Sequence, residues 1–241
     1  MVEPVFPGGT AVSGLSVYPW PAADGVCGGS PHVHLACTEG YVTVSGQGAV
    51  QTITAAGFRE TRLSAGTVAW FSPGTIHRAV NHDGELRIVV VMQNSGLPEA
   101  GDAVFTFPPD VLADPAAYRR AADLTVPTES AARTRRDLAV TGFLALAKEI
   151  RRGNTEPLAE FYRAAVALKA DRVDSWERIW RAGPVAAAER TGAHLAALRD
   201  GRIDHLLDAG VRSVEAPGDR VFGMCGRLDT YPLRPTDQQD R

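Results

Sequence analysis

The chain has 241 residues, of which 25 are basic and 28 are acidic, and its formal net charge is −3. This length allows one large domain or two modest ones. Charges of both signs are interspersed without a basic run, which argues against nucleic acid as a partner. No apolar stretch approaches the roughly 20 residues that cross a bilayer. The start of the chain also lacks the basic and apolar segments of a signal peptide. We therefore expect a cytoplasmic protein that does not bind membranes.

The first part of the chain, residues 1–109, has the pattern of a β-domain. Short β-branched and aromatic runs are separated by Gly and Pro from about Gly9 to Phe107. Runs of this kind, with turn signals every 8–12 residues or so, predict a β-sandwich or barrel. The three widely spaced cysteines contain no C-x-x-C pair, so we expect free, packed thiols rather than disulfides or a zinc knuckle.

The composition changes to Ala, Arg and Leu in residues 110–216, which predicts a helical region. Asp114 is a predicted N-cap followed by proline, Thr128 is the predicted cap of a longer helix, and Gly153 would end that helix. Residues 217–241 read as a strand that rejoins the barrel, followed by a tail. The predicted fold class is therefore mainly β with an α-helical part.

One group of residues has the chemistry of a metal site. His32 and His34 are two positions apart, so in a strand they point to the same face and can bind one ion. Glu39 stands at an odd offset from His34, which requires a bulge near Cys37 to turn it to that face. His77 follows a Pro-Gly turn. Three imidazoles and a carboxylate suit a divalent first-row metal, and this set can leave coordination positions open.

These residues resemble the two motifs of the cupin superfamily, G-x5-H-x-H-x3–4-E-x6-G and G-x5-P-x-G-x2-H-x3-N. The sequence departs from the pattern in two places: position 26 is Val with Gly25 beside it, and Pro73 stands one place late. The resemblance implies a jelly-roll β-barrel with the metal inside, covering roughly residues 10–107. The matching residues are His32, His34, Glu39 and Gly46 in the first motif, and Gly66, Gly74, His77 and Asn81 in the second.

The pocket around the metal can be predicted in part from strand pairing. If Asp83-Gly84 is a two-residue hairpin turn, His77 lies opposite Val90. The inward wall is then apolar and is formed by Leu86, Ile88, Val90 and Met92.

Polar groups of the pocket come from the neighbouring strands. Tyr41 lies two residues after Glu39 and shares its direction, so it is the predicted group for proton transfer or substrate orientation. Either Gln51 or Thr52 faces inward, depending on loop length, and we take Gln51 as a pocket residue. Apolar residues on the outer face, such as Val89, predict cover by the helices or by a second barrel. With the resemblance, this indicates a homodimer.

The sequence favours a metal-dependent enzyme that acts on a small chelating substrate, such as an enol, diol or hydroxy-carbonyl. With Fe, Mn or Ni we expect dioxygenase-type chemistry, as in the quercetinase-like cupins, and the apolar wall favours this interpretation. With Zn or Co we expect an isomerase, epimerase or lyase in which Tyr41 or a metal-bound water moves the proton. A non-catalytic small-molecule binding or sensor protein is the alternative from another class. Glu39 and Tyr41 are the predicted catalytic residues.

Overall fold

The computed structural model describes residues 6–216 and 218–232. The predicted tail beyond residue 232 lies outside the described residues. Within the described ranges the barrel consists of two antiparallel sheets. Its strands are β1 (Ala11–Val17), β2 (His32–His34), β3 (Glu39–Ser45), β4 (Gln47–Thr54), β5 (Gly57–Ser64), β6 (Val68–Phe71), β7 (Ile76–Asn81), β8 (Arg87–Met92), β9 (Ala103–Phe105), β10 (Val221–Phe222) and β11 (Gly226–Thr230).

The order of the strands alternates between the two sheets in the manner of a jelly roll. The larger sheet has the order β10-β11-β1-β8-β3-β6, and the smaller has the order β5-β4-β7-β2-β9. Strand β11 pairs with β1, so residues 226–230 lie in the barrel rather than with the helices. Successive strands β2 and β3 lie in opposite sheets, and this arrangement positions the functional site.

The predicted hairpin at Asp83-Gly84 is wrong, because β7 pairs with β2 and β4 whereas β8 pairs with β1 and β3. The side chain of Asn81 redirects the chain here. Its carbonyl oxygen accepts hydrogen bonds from the backbone N–H groups of Gly84 at 2.9 Å and Leu86 at 3.3 Å. Its amide donates to the carbonyl oxygen of Val17 at 2.9 Å. The turn therefore carries the chain into the other sheet.

The inward direction of the β8 side chains is nevertheless confirmed. One buried cluster fills the barrel interior and contains Tyr41 of β3 and Val50 of β4 together with the predicted wall. Alternate residues of a strand face opposite sides, so the direction depends on parity and not on which strand is the partner. The predicted wall residues in this cluster are Leu86, Ile88, Val90 and Met92.

The helices lie between β9 and β10, and the two predicted N-caps are confirmed. The Asp114 side chain accepts from the backbone N–H of Ala116, and the Thr128 hydroxyl accepts from that of Ala131. Gly153 has a φ of 80° just after the third helix, a conformation that favours glycine. The helices are α1 (Pro109–Leu112), α2 (Pro115–Ala122), α3 (Glu129–Arg151), α4 (Glu156–Lys169), α5 (Val173–Trp180), α6 (Ala186–Arg199) and α7 (Asp204–Leu207).

Helices α3 and α4 pack on the outer face of the smaller sheet. Val33 and Ile76 of that sheet share one buried cluster with Phe143 of α3 and Phe161 of α4. The hydroxyl of Tyr162 on α4 donates to the carbonyl oxygen of Gly74 at 2.6 Å, next to the strand that carries His77. The helical region is therefore attached directly to the smaller sheet, which carries all three imidazoles on β2 and β7.

The outer face of the larger sheet is exposed at β3 and β6. Trp70 is 73% exposed and Val68 is 56% exposed, and they lie beside Gly40 and Val42 of the neighbouring strand. Helices α3 and α4 lie against the other sheet, so they do not cover β3 and β6. Cover by a second copy stays a prediction. Within the described ranges, no helix combines the length and apolar composition that a membrane span needs.

Candidate metal centre

Four side chains predicted as metal ligands meet inside the barrel. His32 and His34 lie on β2, Glu39 begins β3, and His77 lies on β7. One potential ligand atom from each lies within 4.8 Å of those of the others. All four residues are buried, and His77 is fully inaccessible. The structure therefore brings together residues up to 45 positions apart in a single cluster, as His32 and His77 are direct cross-strand partners.

Glu39 reaches the cluster without the bulge that its odd offset required. The chain leaves β2 in the smaller sheet and enters β3 in the larger sheet, and the inner faces of the two sheets oppose each other. The rule that alternate residues of one strand face the same side therefore does not apply between His34 and Glu39, which lie on different strands. The predicted bulge near Cys37 is wrong, and the crossing between sheets takes its place.

Hydrogen bonds fix the tautomer of each imidazole. A carbonyl or carboxylate oxygen can only accept, so each Nδ1 carries a proton and each Nε2 is the ring nitrogen that faces the cluster. Neutral imidazoles held in this way are the form that binds a metal. The three bonds run from His32 Nδ1 to the Ser30 carbonyl at 2.9 Å, from His77 Nδ1 to the Thr75 carbonyl at 3.1 Å, and from His34 Nδ1 to the Asp102 carboxylate at 2.6 Å.

The donor atoms of the cluster fit a cation. Glu39 Oε2 lies 3.0 Å from His77 Nε2 and 3.3 Å from His34 Nε2. Glu39 Oε2 and His77 Nε2 are buried and have no hydrogen-bond partner. Lone pairs that face each other at this distance away from water repel, unless a positive charge lies between them. Three imidazoles and one carboxylate are ligands that a divalent first-row transition metal accepts.

The pKa values of His34 and Glu39 also indicate that the cluster favours positive charge. Burial lowers the pKa of His34, but the carboxylates of Asp102 and Glu39 outweigh burial and raise it to about 10. Burial raises the pKa of Glu39, but His77 and His34 outweigh it and hold the pKa well below its ordinary value. Burial and the adjacent imidazoles lower the pKa of His32, which keeps this ring neutral. Glu39 is thus ionised, and the ring of His32 beside it is neutral.

Two facing antiparallel sheets that enclose a His-x-His pair, a glutamate and a third histidine on their inner strands form the arrangement that defines the motifs described above. The described barrel has a cupin-type jelly-roll fold. Asn81, which matches the last residue of the second motif, forms the turn between β7 and β8 rather than joining the ligands.

Comparisons with known proteins give structural similarity only. No protein-family model and no curated protein matches this chain. It is similar to an uncharacterized conserved protein with a double-stranded β-helix domain from Klebsiella pneumoniae, at 22% identity over 39% of this chain and 75% of that one, with a TM-score of 0.30. For KdgF from Halomonas sp. the identity is 22% over 28% of this chain and 57% of that one, with a TM-score of 0.25. For a TDP-quinovose 3,4-ketoisomerase from Campylobacter jejuni the identity is 11% over 34% of this chain and 60% of that one, with a TM-score of 0.29. The last two matches span less than two thirds of the other protein.

Tyr41 lies beside the cluster, where the sequence predicted it. It is fully buried, and its ring centroid is 6.3 Å from that of His77. Burial and the charge of Glu39 raise the pKa of Tyr41 well above its ordinary value. Its hydroxyl lies near Glu39 and the thiol of Cys225 but completes no hydrogen bond. The structure thus holds a protonated phenol next to the ligands.

Gln51 does not face the cluster, so its placement in the pocket is corrected. Its amide donates to the carboxylate of Glu60 at 2.9 Å in an exposed position. Thr52 is the cross-strand partner of His77, and Val50 belongs to the barrel interior. The even-numbered residues of β4 therefore point inward.

The sequence also missed two residues near the ligands. The ring of Phe71 lies 4.2 Å from that of His77, centroid to centroid, and 5.2 Å from that of Tyr41. Its position opposite Glu39 in β3 and β6 depends on strand pairing, which the sequence does not display. Asp102, whose carboxylate accepts a hydrogen bond from His34, lies in a loop far along the chain, and no sequence motif marks it.

Proposed function

We propose that this protein is a metal-dependent enzyme of the dioxygenase type that acts on a small chelating substrate, such as an enol, diol or hydroxy-carbonyl. The observation that supports this proposal is the buried cluster of facing acceptor atoms described above. A bound Fe, Mn or Ni ion would supply adjacent open coordination positions, Lewis acidity and redox activity. The Nε2 atoms of His32, His34 and His77 and the carboxylate of Glu39 would hold it. The homodimer and the cytoplasmic location stay predictions.

Apolar side chains beside the ligands support the oxygenase over enzymes of sugar phosphates. The cross-strand neighbours of Glu39 are Met92 and Phe71. Val90 and Ile88 continue the same wall inside the barrel. These side chains exclude water, and they provide no charged partner for a phosphate. The two lysines of the chain are Lys148 and Lys169, both in the helical region.

The accessible side of the cluster indicates where a substrate would approach. The side chains of His34 and Glu39 are 10% and 7% exposed, whereas that of His77 is 0% exposed. Phe71 covers His77 from the β6 side. A substrate would therefore reach the ligands past His34 and Glu39.

A second reaction class is favoured by one observation, the unpartnered hydroxyl of Tyr41. Its raised pKa keeps the phenol protonated at neutral pH, so it can donate a proton to a substrate oxygen or carbon held beside Glu39. An isomerase, epimerase or lyase needs such a group. With Zn or Co, the same cluster would suit these reactions.

Elemental analysis tests the metal-dependent function. Protein purified without chelators or a metal-affinity column is compared with His77→Ala and with the control His82→Ala, an exposed histidine in the loop after β7. We expect about one transition-metal ion per chain in the wild type and in His82→Ala, and little in His77→Ala. An absence of metal from all three proteins would contradict the proposal.

Oxygen uptake with enolic and catecholic substrates then separates the reaction classes. We expect oxygen consumption that Tyr41→Phe reduces only modestly, since the apolar wall remains. If substrates are isomerised or cleaved without oxygen, and Tyr41→Phe lowers that rate by about 100-fold or more, the second class is correct. Binding of metal and ligand without turnover of any substrate would favour the sensor interpretation.

A further inference from the structure

Asp102 has an unusual position for an acidic residue. It is fully buried at the end of the loop that precedes β9. Its Oδ1 lies 2.6 Å from Nδ1 of His34, and its Oδ2 accepts from the backbone N–H of Ala36 at 3.4 Å. Buried carboxylates are rare unless they are paired, so this contact requires an explanation.

The three imidazoles differ in the group that holds them. His32 and His77 donate to neutral backbone carbonyls, each two residues earlier in the chain. Only His34, among these three rings, donates to a carboxylate. A carboxylate fixes the ring orientation and makes the opposite nitrogen a stronger donor to a metal. His34 is therefore the most electron-rich of the three ligands.

Charge balance points in the same direction. A divalent ion with three neutral imidazoles and the Glu39 carboxylate keeps one uncompensated positive charge in a buried site. The ionised Asp102, one hydrogen bond away, supplies the second negative charge. Both oxygens of Asp102 accept hydrogen bonds, Oδ1 from His34 and Oδ2 from the backbone N–H of Ala36, which is the pattern of an ionised carboxylate. The charges of the buried site then sum to zero.

The loop that carries Asp102 is held by the helical region. The indole Nε1 of Trp176 on α5 donates to the carbonyl oxygen of Ala100 at 3.3 Å. Trp176 also shares the buried interior cluster with Leu97 of the same loop and Met92 of β8. The position of the carboxylate therefore depends on contacts with α5 as well as on the barrel.

We propose that Asp102 is a positioning residue of the metal centre, which orients His34 with its Nε2 toward the ion and supplies the second negative charge that a divalent ion needs. This inference rests on the metal-dependent function proposed above. It assigns to the loop before β9, and through it to helix α5, a role in metal affinity. Asp102 would act through His34, because it contacts Nδ1 rather than the Nε2 that faces the cluster.

Two substitutions separate the two roles of the carboxylate. Asp102→Asn keeps an oxygen that can accept from His34 Nδ1 but removes the charge, whereas Asp102→Ala removes both. We expect Zn²⁺ affinity, measured by competition with a chromophoric chelator, to fall about 10-fold in the first variant and nearer 100-fold in the second. The control Asp137→Asn removes the acidic partner of buried Arg136 on α3, away from the cluster. We expect it to retain wild-type Zn²⁺ affinity.

A second measurement reports the orientation directly. Long-range ¹H–¹⁵N spectra of the metal-free protein show which ring nitrogen carries the proton. We expect Nδ1 of His34 to carry a proton in the wild type and in Asp102→Asn, and to carry one in only part of the Asp102→Ala molecules. Because the Asn variant is nearly isosteric, it keeps the test valid even if the Ala variant does not fold.

The outcomes distinguish this inference from the proposed function. If both Asp102 variants bind Zn²⁺ as tightly as the wild type and only melt at lower temperature, Asp102 is an anchor of the loop and the inference is wrong. If the wild type binds neither Zn²⁺ nor Co²⁺, both the proposed function and the inference about Asp102 are wrong. If the wild type binds and the affinities fall in the stated order, with Asp137→Asn unchanged, both are supported.

Discussion

Two successive residues of strand β7 are buried on opposite faces of the sheet. His77 faces the metal cluster, while Arg78 faces the other side of the sheet, is fully buried, and pairs with Asp24 at 2.6 Å. Asp24→Asn leaves this guanidinium without its counter-charge, and we expect a loss of about 3 kcal/mol in the free energy of unfolding at pH 7. Urea unfolding of the two proteins measures this difference.

The same pair predicts a pH dependence. Burial raises the pKa of Asp24, but Arg78 outweighs burial and lowers it from its ordinary value of 3.8. A carboxyl with a lowered folded-state pKa stabilises the protein above its unfolded-state pKa, and this contribution is lost as the pH falls through the folded-state value. The difference between the wild type and Asp24→Asn should therefore be constant at neutral pH and shrink below pH 3.8. A difference that does not change in acid would contradict this assignment.

At the residue scale, the sequence identified the four ligands because the motif spacing contains them. It could not identify Asp102, since this residue lies 68 positions from His34 and their contact is made only by the folded loop. The direction of the Gln51 side chain could not be predicted from the sequence either. Parity in β4 depends on how many residues the turn at Gly46 takes, and a one-residue change reverses every side chain.

At the scale of elements, helix α3 lies in direct contact with the end of β9. Gly142 of α3 is packed so closely that a Cβ there would clash with the backbone carbonyl oxygen of Thr106. We expect Gly142→Ala to lower the free energy of unfolding by about 3 kcal/mol, because neither backbone can move without disturbing the core. The matched control is Gly192→Ala in α6, where no heavy atom lies within 4 Å of the added Cβ.

The control should change stability in the opposite direction. Alanine is the better helix former, so we expect Gly192→Ala to raise the free energy of unfolding by about 0.5–1 kcal/mol. Urea denaturation of both variants is the measurement. Equal effects from the two substitutions would mean that helix propensity, and not the contact with Thr106, decides the stability of α3.

The elements themselves were more predictable than their pairing. The caps at Asp114 and Thr128 are local interactions between a side chain and the next turn, so the sequence displays them. The path from β7 to β8 was predicted wrongly because Asn81 binds the backbone of both the turn and β1. A side chain that bonds to a third segment overrides the turn preference of Asp83-Gly84.

At the scale of the whole molecule, barrel and helices share one core. A single buried cluster contains Val33 of β2 and Ile76 of β7 together with Phe143 of α3 and Leu158 of α4. Residues that share a buried core unfold together in a cooperative transition. Stabilisation of the barrel interior by a ligand should therefore reach the helices, although α3 does not contribute to the metal cluster.

This coupling gives a prediction for metal binding. A divalent ion at 100 times its dissociation constant raises the free energy of unfolding by about 2.7 kcal/mol. We expect amide hydrogen exchange to slow by the corresponding factor of about 100 in the most protected peptides of β7 and of α3, since both open only when the whole domain unfolds. His77→Ala should abolish the effect in both peptides, and His82→Ala should retain it. Slower exchange confined to β7 would mean that barrel and helices unfold separately, since metal binding cannot protect a helix that opens without releasing the ion.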